Sequence, residues 1–316
     1  MNIAVIGLGN MGAFHATKYA ALPEVNFVAI CDTSQSESSL TFGDLTVPVY
    51  NTLDAMLEDH QVDAVSIASP TFTHYDIAKV CLEKGIHCLI EKPIATTIQE
   101  ADDLIQIAKD RNLILTVGHI ERFNPAVLKV KECISKGMLG DLSSVSFRRN
   151  GPFPAQIDDA DVVIDLAVHD IDIANYWLGA LPDTIAGHKA ALITGGRPDH
   201  AEILAKYGAT HVFFQVNWVT PTRVRTAVLT GSKGYIEMDF ISKSIQYFES
   251  KAELSSNRHG ETIAKFQAVE ALDIEVELLD ALEEQLRCFV GAIMQKNQLL
   301  VSPNQAKDAL ELALKI

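Results

Sequence analysis

From Met1 to about His119 the chain alternates short apolar runs with segments whose apolar residues recur every three or four positions. NIAVIG, NFVAIC, VPVY, DAVSIAS, HCLIE and LILTVG are rich in Val, Ile and Leu with few polar interruptions. Strands covered on both faces read this way, because neither face needs a polar residue. Between them, GAFHATKYAAL, TLDAMLEDH, THYDIAKVCLEKG and TIQEADDLIQIAKDR fit amphipathic helices. Regular strand–helix alternation implies right-handed crossovers and an α/β architecture, a doubly wound parallel sheet.

Beyond His119 the alternation stops. A helix is expected over 124–136, then a strand at SSVSFRRN, then a helix in DVVIDLAVHDIDIANYWLG. PDTIAGHKAALIT, HAEILAKY, THVFFQVNWV, RVRTAVLTG, GYIEMDF and KSIQYF alternate apolar and polar residues between turns. That is the signature of an open, mainly antiparallel sheet with one face solvated or covered by a partner. Helices over 273–297 and 303–316 follow, the second opening at Ser302-Pro303. SQSESS (34–39) and ESKAELSSNRHGE (249–261) are expected to be polar loops. The division is a dinucleotide-binding domain over 1–119 and an α+β substrate and oligomerisation domain over 120–316.

Length and composition agree with two domains, since 316 residues with 48% hydrophobic content are ordinary for a soluble globular protein. The net charge of −15 argues against nucleic-acid or anionic-membrane partners, which need a basic surface. It leaves room for a small anion in a local cationic pocket. Met1 leads straight into NIAVIG without a basic leader, and no apolar run is long enough to span a bilayer. Cys31, Cys81, Cys88, Cys133 and Cys288 are dispersed, without a CxxC pair. They read as reduced thiols, which places the chain in the cytoplasm.

The first strand runs into Gly7-Leu8-Gly9-Asn10-Met11-Gly12, which opens the first helix, and Asp32 ends the second strand twenty residues later. A GxGxxG in that strand-to-helix context is a dinucleotide fingerprint. Gly7 permits the tight turn, Gly9 lets backbone approach a pyrophosphate, and Gly12 allows close helix–strand packing. The helix N-terminus favours the phosphates. Asp32 suits the ribose hydroxyls and would repel a 2′-phosphate, so NAD is favoured over NADP. Glu91-Lys92-Pro93 ends the HCLIE strand and Ser69-Pro70-Thr71 ends the preceding one, with His74 a turn further on. Ligands of open α/β sheets bind at these carboxyl ends, so Glu91, Lys92, Ser69, Pro70, Thr71 and His74 are expected around the cofactor.

The helix DLAVHDID raises a question of its own. Asp165 and His169 stand at i and i+4 in an otherwise apolar segment, and buried ionisable groups are costly unless paired or used. Asp165 can accept a hydrogen bond from one imidazole nitrogen, orienting the ring and leaving the other nitrogen for a substrate. A purely structural Asp–His contact between domains would explain the same spacing. Asp172, at i+3 from His169, is either a supporting partner of that histidine or a helix-surface charge, and the second reading is favoured. A metal site using Asp165, His169 and either His188 or His200 has only weak spacing in its favour, and none is expected.

These elements together resemble the Gfo/Idh/MocA family of NAD(P)-dependent sugar and polyol dehydrogenases. The resemblance rests on GLGNMG, SPTFTH, the EKP tripeptide and the Asp165…His169 pair, and spans the whole chain. It implies that Lys92, Asp165 and His169 are the catalytic set. GHIERFNPAV (118–127) and RRNGPFP (148–154) look like the branch that oxidises the 3-hydroxyl of UDP-N-acetylglucosamine or a close sugar nucleotide, giving a 3-keto sugar. AQIDDA, between Pro154 and Asp161, is acidic where that branch more usually carries a basic residue. On this reading Arg122, Arg148 and Arg149 hold the diphosphate, while Asn124 and Asn150 read the sugar. The resemblance also implies a homodimer or homotetramer. The alternatives are a dehydrogenase of free sugars or polyols and a non-catalytic NAD(H)-binding regulator.

Overall fold

The computed structural model describes residues 1–154, 160–267 and 269–316. They form two compact units: Met1–Phe123 with Asp280–Glu311, and Asn124–Leu279 with Leu312–Ile316.

The first unit begins with β1 (Asn2–Ile6), α1 (Asn10–Ala21), β2 (Asn26–Cys31), β3 (Ser39–Phe42) and β4 (Leu45–Tyr50). It continues through α2 (Leu53–Asp59), β5 (Ala64–Ile67), α3 (His74–Glu83), β6 (His87–Glu91), α4 (Ile98–Asp110) and β7 (Leu115–Gly118). Among the described residues the strands make one seven-stranded sheet in the order β3-β4-β2-β1-β5-β6-β7. All pairs are parallel except the β3–β4 hairpin. Strand order reverses direction around β1, with β2 on one side and β5 on the other, and ligands of such sheets bind at this switch point. The strands are buried throughout their central residues because helices cover both faces. Local signals agree with the fold: Thr97 and Glu100 form a capping box at the start of α4. The β3 strand was not expected from sequence. Its SLTF is short and half exposed, too weak a pattern to stand out beside SQSESS.

The second unit carries α5 (Pro125–Ser135), β8 (Leu142–Pro152), a π-helical turn at Val163–Ala167 and α6 (Val168–Leu178). Its later strands are β9 (Thr184–Ala190), β10 (His200–Tyr207), β11 (Thr210–Asn217), β12 (Val219–Gly231), β13 (Gly234–Asp239), β14 (Ile245–Glu249), β15 (Ala252–Ser256), β16 (Thr262–Phe266) and β17 (Leu272–Asp273). The main sheet runs β17-β14-β13-β12-β8-β11-β10-β9, antiparallel except for the β8–β11 pair. One face is covered: Phe147 stacks on Phe214 at 5.3 Å and on Trp177 of α6 at 5.4 Å. The other face stays open, so β10 alternates buried Ala201, Ile203 and Ala205 with exposed Glu202, Leu204 and Lys206. A separate β15–β16 hairpin occupies part of the stretch expected to be a polar loop.

The chain then returns to the first unit with α7 (Ala281–Ile293) and most of α8 (Pro303–Leu314). Leu282, Leu286, Phe289 and Val290 of α7 share one core with Ile3, Val5, Tyr19 and Phe27. A division at residue 119 or 120 misses this return, because an amphipathic helix does not say which sheet it will cover. No helix among the described residues is long and apolar enough to cross a membrane. The acidic AQIDDA segment lies outside the described residues save for Ala160.

Candidate active site

The nucleotide half is built at the carboxyl ends of β1, β2, β5 and β6. Gly7 has φ of +88°, and a Cβ there would lie 2.5 Å from the Ser69 nitrogen. A Cβ on Gly12 would lie 1.9 Å from the Gly7 oxygen, so α1 can start against the turn only with glycine at both places. Gly9, by contrast, has nothing within 4 Å of the place its Cβ would take. That open cradle, at the N-terminus of α1 beside Asn10 and Met11, fits a dinucleotide pyrophosphate. Asp32 braces it: Oδ2 accepts from the Leu8 amide at 2.6 Å, and Oδ1 accepts from the Ser34 amide and hydroxyl at 2.8 and 2.6 Å. Burial pushes the Asp32 carboxyl up, but the bonds from Ser34 and Leu8 outweigh it and hold it below the usual range.

Ser69 bonds Thr73 through its hydroxyl at 2.7 Å, closing the turn Pro70-Thr71 into the short 3₁₀ helix ahead of His74. His74 is 1% exposed, and its ring nitrogens lie 2.8 Å from the Pro93 carbonyl and 3.0 Å from the Ser69 carbonyl. It ties the ends of β5 and β6 together rather than lying open to a ligand. Glu91 is the last residue of β6 and Lys92 follows it. The Glu91 carboxylate turns inward, 3.1 Å from Nε2 of fully buried His15 on α1, whereas Lys92 is half exposed between buried Glu91 and Pro93. Burial pushes the Glu91 carboxyl up; the His15 hydrogen bond and the electrostatic pull of His15, Lys92 and His74 outweigh it and hold it low. Sequence reasoning missed His15. The signal was there: a histidine beside Ala16 and one turn from Tyr19, on the buried stripe of its helix.

In the second unit the helix bearing Asp165 and His169 is buried at nearly every position from Val162 to Ala174. Ile164, Asp165 and His169 are the half-exposed residues of that span. The segment is not a uniform α-helix. Asp165 sits in the π turn, a rare wide turn frequent at functional sites. Its Oδ2 accepts from Trp218 Nε1 at 3.3 Å, a partner that sequence spacing could not supply. Asp172 is a correction to the sequence reading: at 1% exposed it is buried, because α6 is enclosed on the side expected to be solvated.

Each of the three arginines has its own surroundings, and Arg148 and Arg149 do not share a face. Arg122 belongs to the first unit, is 1% exposed, and donates to the Leu300 carbonyl and Gln305 Oε1 at 3.1 and 3.0 Å. Arg148 and Arg149 are consecutive on β8 and therefore point to opposite faces. Arg149 is buried in an ion pair with Asp170 at 2.7 Å and lies over the Phe240 ring, while exposed Arg148 donates to Gln215 Oε1. Asn124 caps α5 and donates to the Phe240 carbonyl. Buried Asn150 donates to Gln215 Oε1 at 3.3 Å. Exposed His188 lies on β9, and His200 Nδ1 pairs with buried Asp199 at 2.9 Å. Among the described residues no group of three His, Cys, Asp or Glu side chains is placed to hold a metal ion.

Two family models match: an oxidoreductase family with an NAD-binding Rossmann fold over residues 1–119, and the GFO/IDH/MocA C-terminal domain over 127–237. The chain belongs to the Gfo/Idh/MocA oxidoreductase family. It is 28% identical over 316 residues to UDP-N-acetylglucosamine 3-dehydrogenase from Acidithiobacillus ferrooxidans, covering 100% of this chain and 96% of the relative. A solved structure of that enzyme superposes with a TM-score of 0.83 at 26% identity, again over 100% and 96% of the two chains. Myo-inositol 2-dehydrogenase from Thermotoga maritima is 26% identical over 256 residues, 77% of each chain. Like those Gfo/Idh/MocA dehydrogenases, this chain is an enzyme of the alcohol-oxidising kind.

Proposed function

We propose that the chain is an NAD-dependent dehydrogenase that oxidises the C3 hydroxyl of a UDP-linked N-acetylhexosamine to a ketone. The observation that carries this reading is the half-exposed Asp165 and His169 on a mostly buried helix, in a chain that also presents Lys92 at the end of β6. End-to-end similarity to a UDP-N-acetylglucosamine 3-dehydrogenase supports the choice of substrate.

His169 takes the proton of the reacting hydroxyl as general base, a task suited to an imidazole nitrogen. Asp165 orients the imidazole and stabilises the cation it becomes. Lys92 donates to the same oxygen and steadies the alkoxide character that develops as the proton leaves. A nicotinamide dinucleotide held by the Gly7–Gly12 loop and Asp32 would supply the acceptor for the hydride of the carbinol carbon. The balance is one hydride to the cofactor, one proton to His169, and a new C=O bond. Asp32 excludes a 2′-phosphate by charge and so favours NAD.

Lys92→Ala and His169→Ala should abolish NADH formation from UDP-N-acetylglucosamine while NAD affinity stays within a few-fold. Turnover surviving both changes would defeat the assignment. A free polyol is the second reading, favoured by Arg148 and Arg149 pointing to opposite faces of β8, with Arg149 already paired to Asp170. Oxidation of myo-inositol but not of UDP-sugars would establish it.

A further inference from the structure

We propose that Arg197 is the phosphate-binding residue of the substrate site, reading the phosphate attached to the anomeric carbon of a sugar nucleotide. The inference rests on the sugar-nucleotide reading above and adds a cation to the candidates Arg122, Arg148 and Arg149.

Arg197 lies in the β9–β10 connection, over two aromatic rings: 5.2 Å from the Phe153 centroid and 5.3 Å from that of Trp218. The two rings meet edge to face at 5.6 Å. Stacking of this kind uses the flat faces of a guanidinium, while its N–H donors lie in the plane, at the edge. The same indole donates to Asp165 through Nε1. One indole therefore separates the Arg197 cation from a proposed catalytic carboxylate.

The loop that presents Arg197 is fixed from beneath. Fully buried Asp199 accepts from the amides of Leu192, Ile193 and Thr194 at 2.9, 2.7 and 3.1 Å, and its own carbonyl accepts from the Trp218 amide at 2.8 Å. The Thr194 hydroxyl donates to the Arg197 carbonyl, and the Val162 amide donates to the Pro198 carbonyl at 3.3 Å beside the π turn. A half-buried arginine on a loop braced this way loses little conformational freedom on binding an anion. In a chain of net charge −15, so placed a cation is a specific anion site rather than part of a basic surface.

The test is calorimetric titration of the full chain with UDP and with inorganic pyrophosphate, comparing wild type with Arg197→Gln and Arg197→Lys. Loss of a charge-assisted contact should weaken UDP on the order of ten- to a hundredfold in Arg197→Gln, with partial retention in Arg197→Lys. Melting temperature and NAD affinity should stay near wild type. Unchanged UDP affinity in Arg197→Gln, or no UDP binding by wild type, overturns the inference. So does weakened binding that follows a collapse in melting temperature in both variants, since Arg197 would then be only a latch on Trp218. UDP binding through Arg197 without oxidation of any UDP-sugar would remove the C3-oxidation reading and leave the phosphate site standing. Oxidation at an unchanged KM in Arg197→Gln would do the reverse.

Discussion

Replacing His15 by leucine should cost the first unit about 1–3 kcal/mol at neutral pH, the typical penalty for leaving a buried carboxylate without its hydrogen-bond partner. Both partners are deeply placed, His15 at 0% and the Glu91 side chain at 11% exposure, 3.1 Å apart. Leucine fills a similar volume, so the loss should come from the carboxylate and not from a cavity. The pH dependence separates the two. In the wild type the folded-state Glu91 carboxyl is lowered, so its contribution is present above the unfolded value and is lost as pH falls through the folded one. Without His15, burial should raise the same carboxyl, and acid should relieve the variant. The gap between the proteins should therefore begin to narrow while pH is still above the ordinary carboxylate value of about 4.3, and keep narrowing below it. His15→Leu/Glu91→Gln should recover part of the loss at neutral pH. Intrinsic fluorescence is the wrong probe, because Trp177 and Trp218 both lie in the second unit. Urea unfolding followed by far-ultraviolet circular dichroism, with amide exchange along β6, reads the right one. A penalty that is the same at acid and neutral pH would refute the electrostatic argument.

Gly118→Ala should also weaken the first unit, by roughly 1–3 kcal/mol, because its Cβ would sit 2.5 Å from Glu91 Oε1; thermal melting checks this. Trp218→Phe removes the donor to Asp165 and should lower kcat/KM roughly tenfold or more with NAD affinity unchanged, as measured by steady-state kinetics and dinucleotide titration. Asp32→Ala should weaken NAD about tenfold and narrow its advantage over NADP, since it removes both the proposed ribose acceptor and the brace on the Leu8 amide. Phe213→Lys should shift the chain toward monomer in light scattering. Leu204 and Phe213 pair across strands on the open sheet face at 45% and 48% exposure, and a homo-oligomer covering that face would exclude a charge there.

The parallel sheet was legible because strands covered on both faces write unbroken apolar runs, and the glycine loop because its roles are backbone geometry, visible residue by residue. Lys92 could be placed at a strand end from the same reasoning. Partners contributed from elsewhere in the chain were not legible. Nothing near Asp165 announces Trp218, fifty-three residues on, and nothing in EKP announces His15. Arg149 shows a related limit. A guanidinium's sequence neighbours do not reveal whether a buried carboxylate such as Asp170 already holds it. Nor did a regular i, i+4 spacing foretell the π turn, which depends on packing around the segment and not on its composition. Asp172 was misjudged because a polar residue on a helix was assumed to mark the wet side.

The return of the chain to its first unit has a consequence for how the protein is made. The sheet from β1 to β7 leaves the ribosome early, yet α7 supplies part of its core and joins it through Lys18–Asp280 and the Arg287–Glu24 pair. At roughly 5–20 residues per second, the ~150 residues between Phe123 and Asp280 delay that helix by about 10–30 s. Until then the apolar flank of α1 has no cover of its own. A fragment ending at residue 123 should accordingly be a poor stand-alone nucleotide binder, sticky and prone to chaperone capture. Adding residues 280–311 in trans should quench the exposed surface that a hydrophobic dye reports.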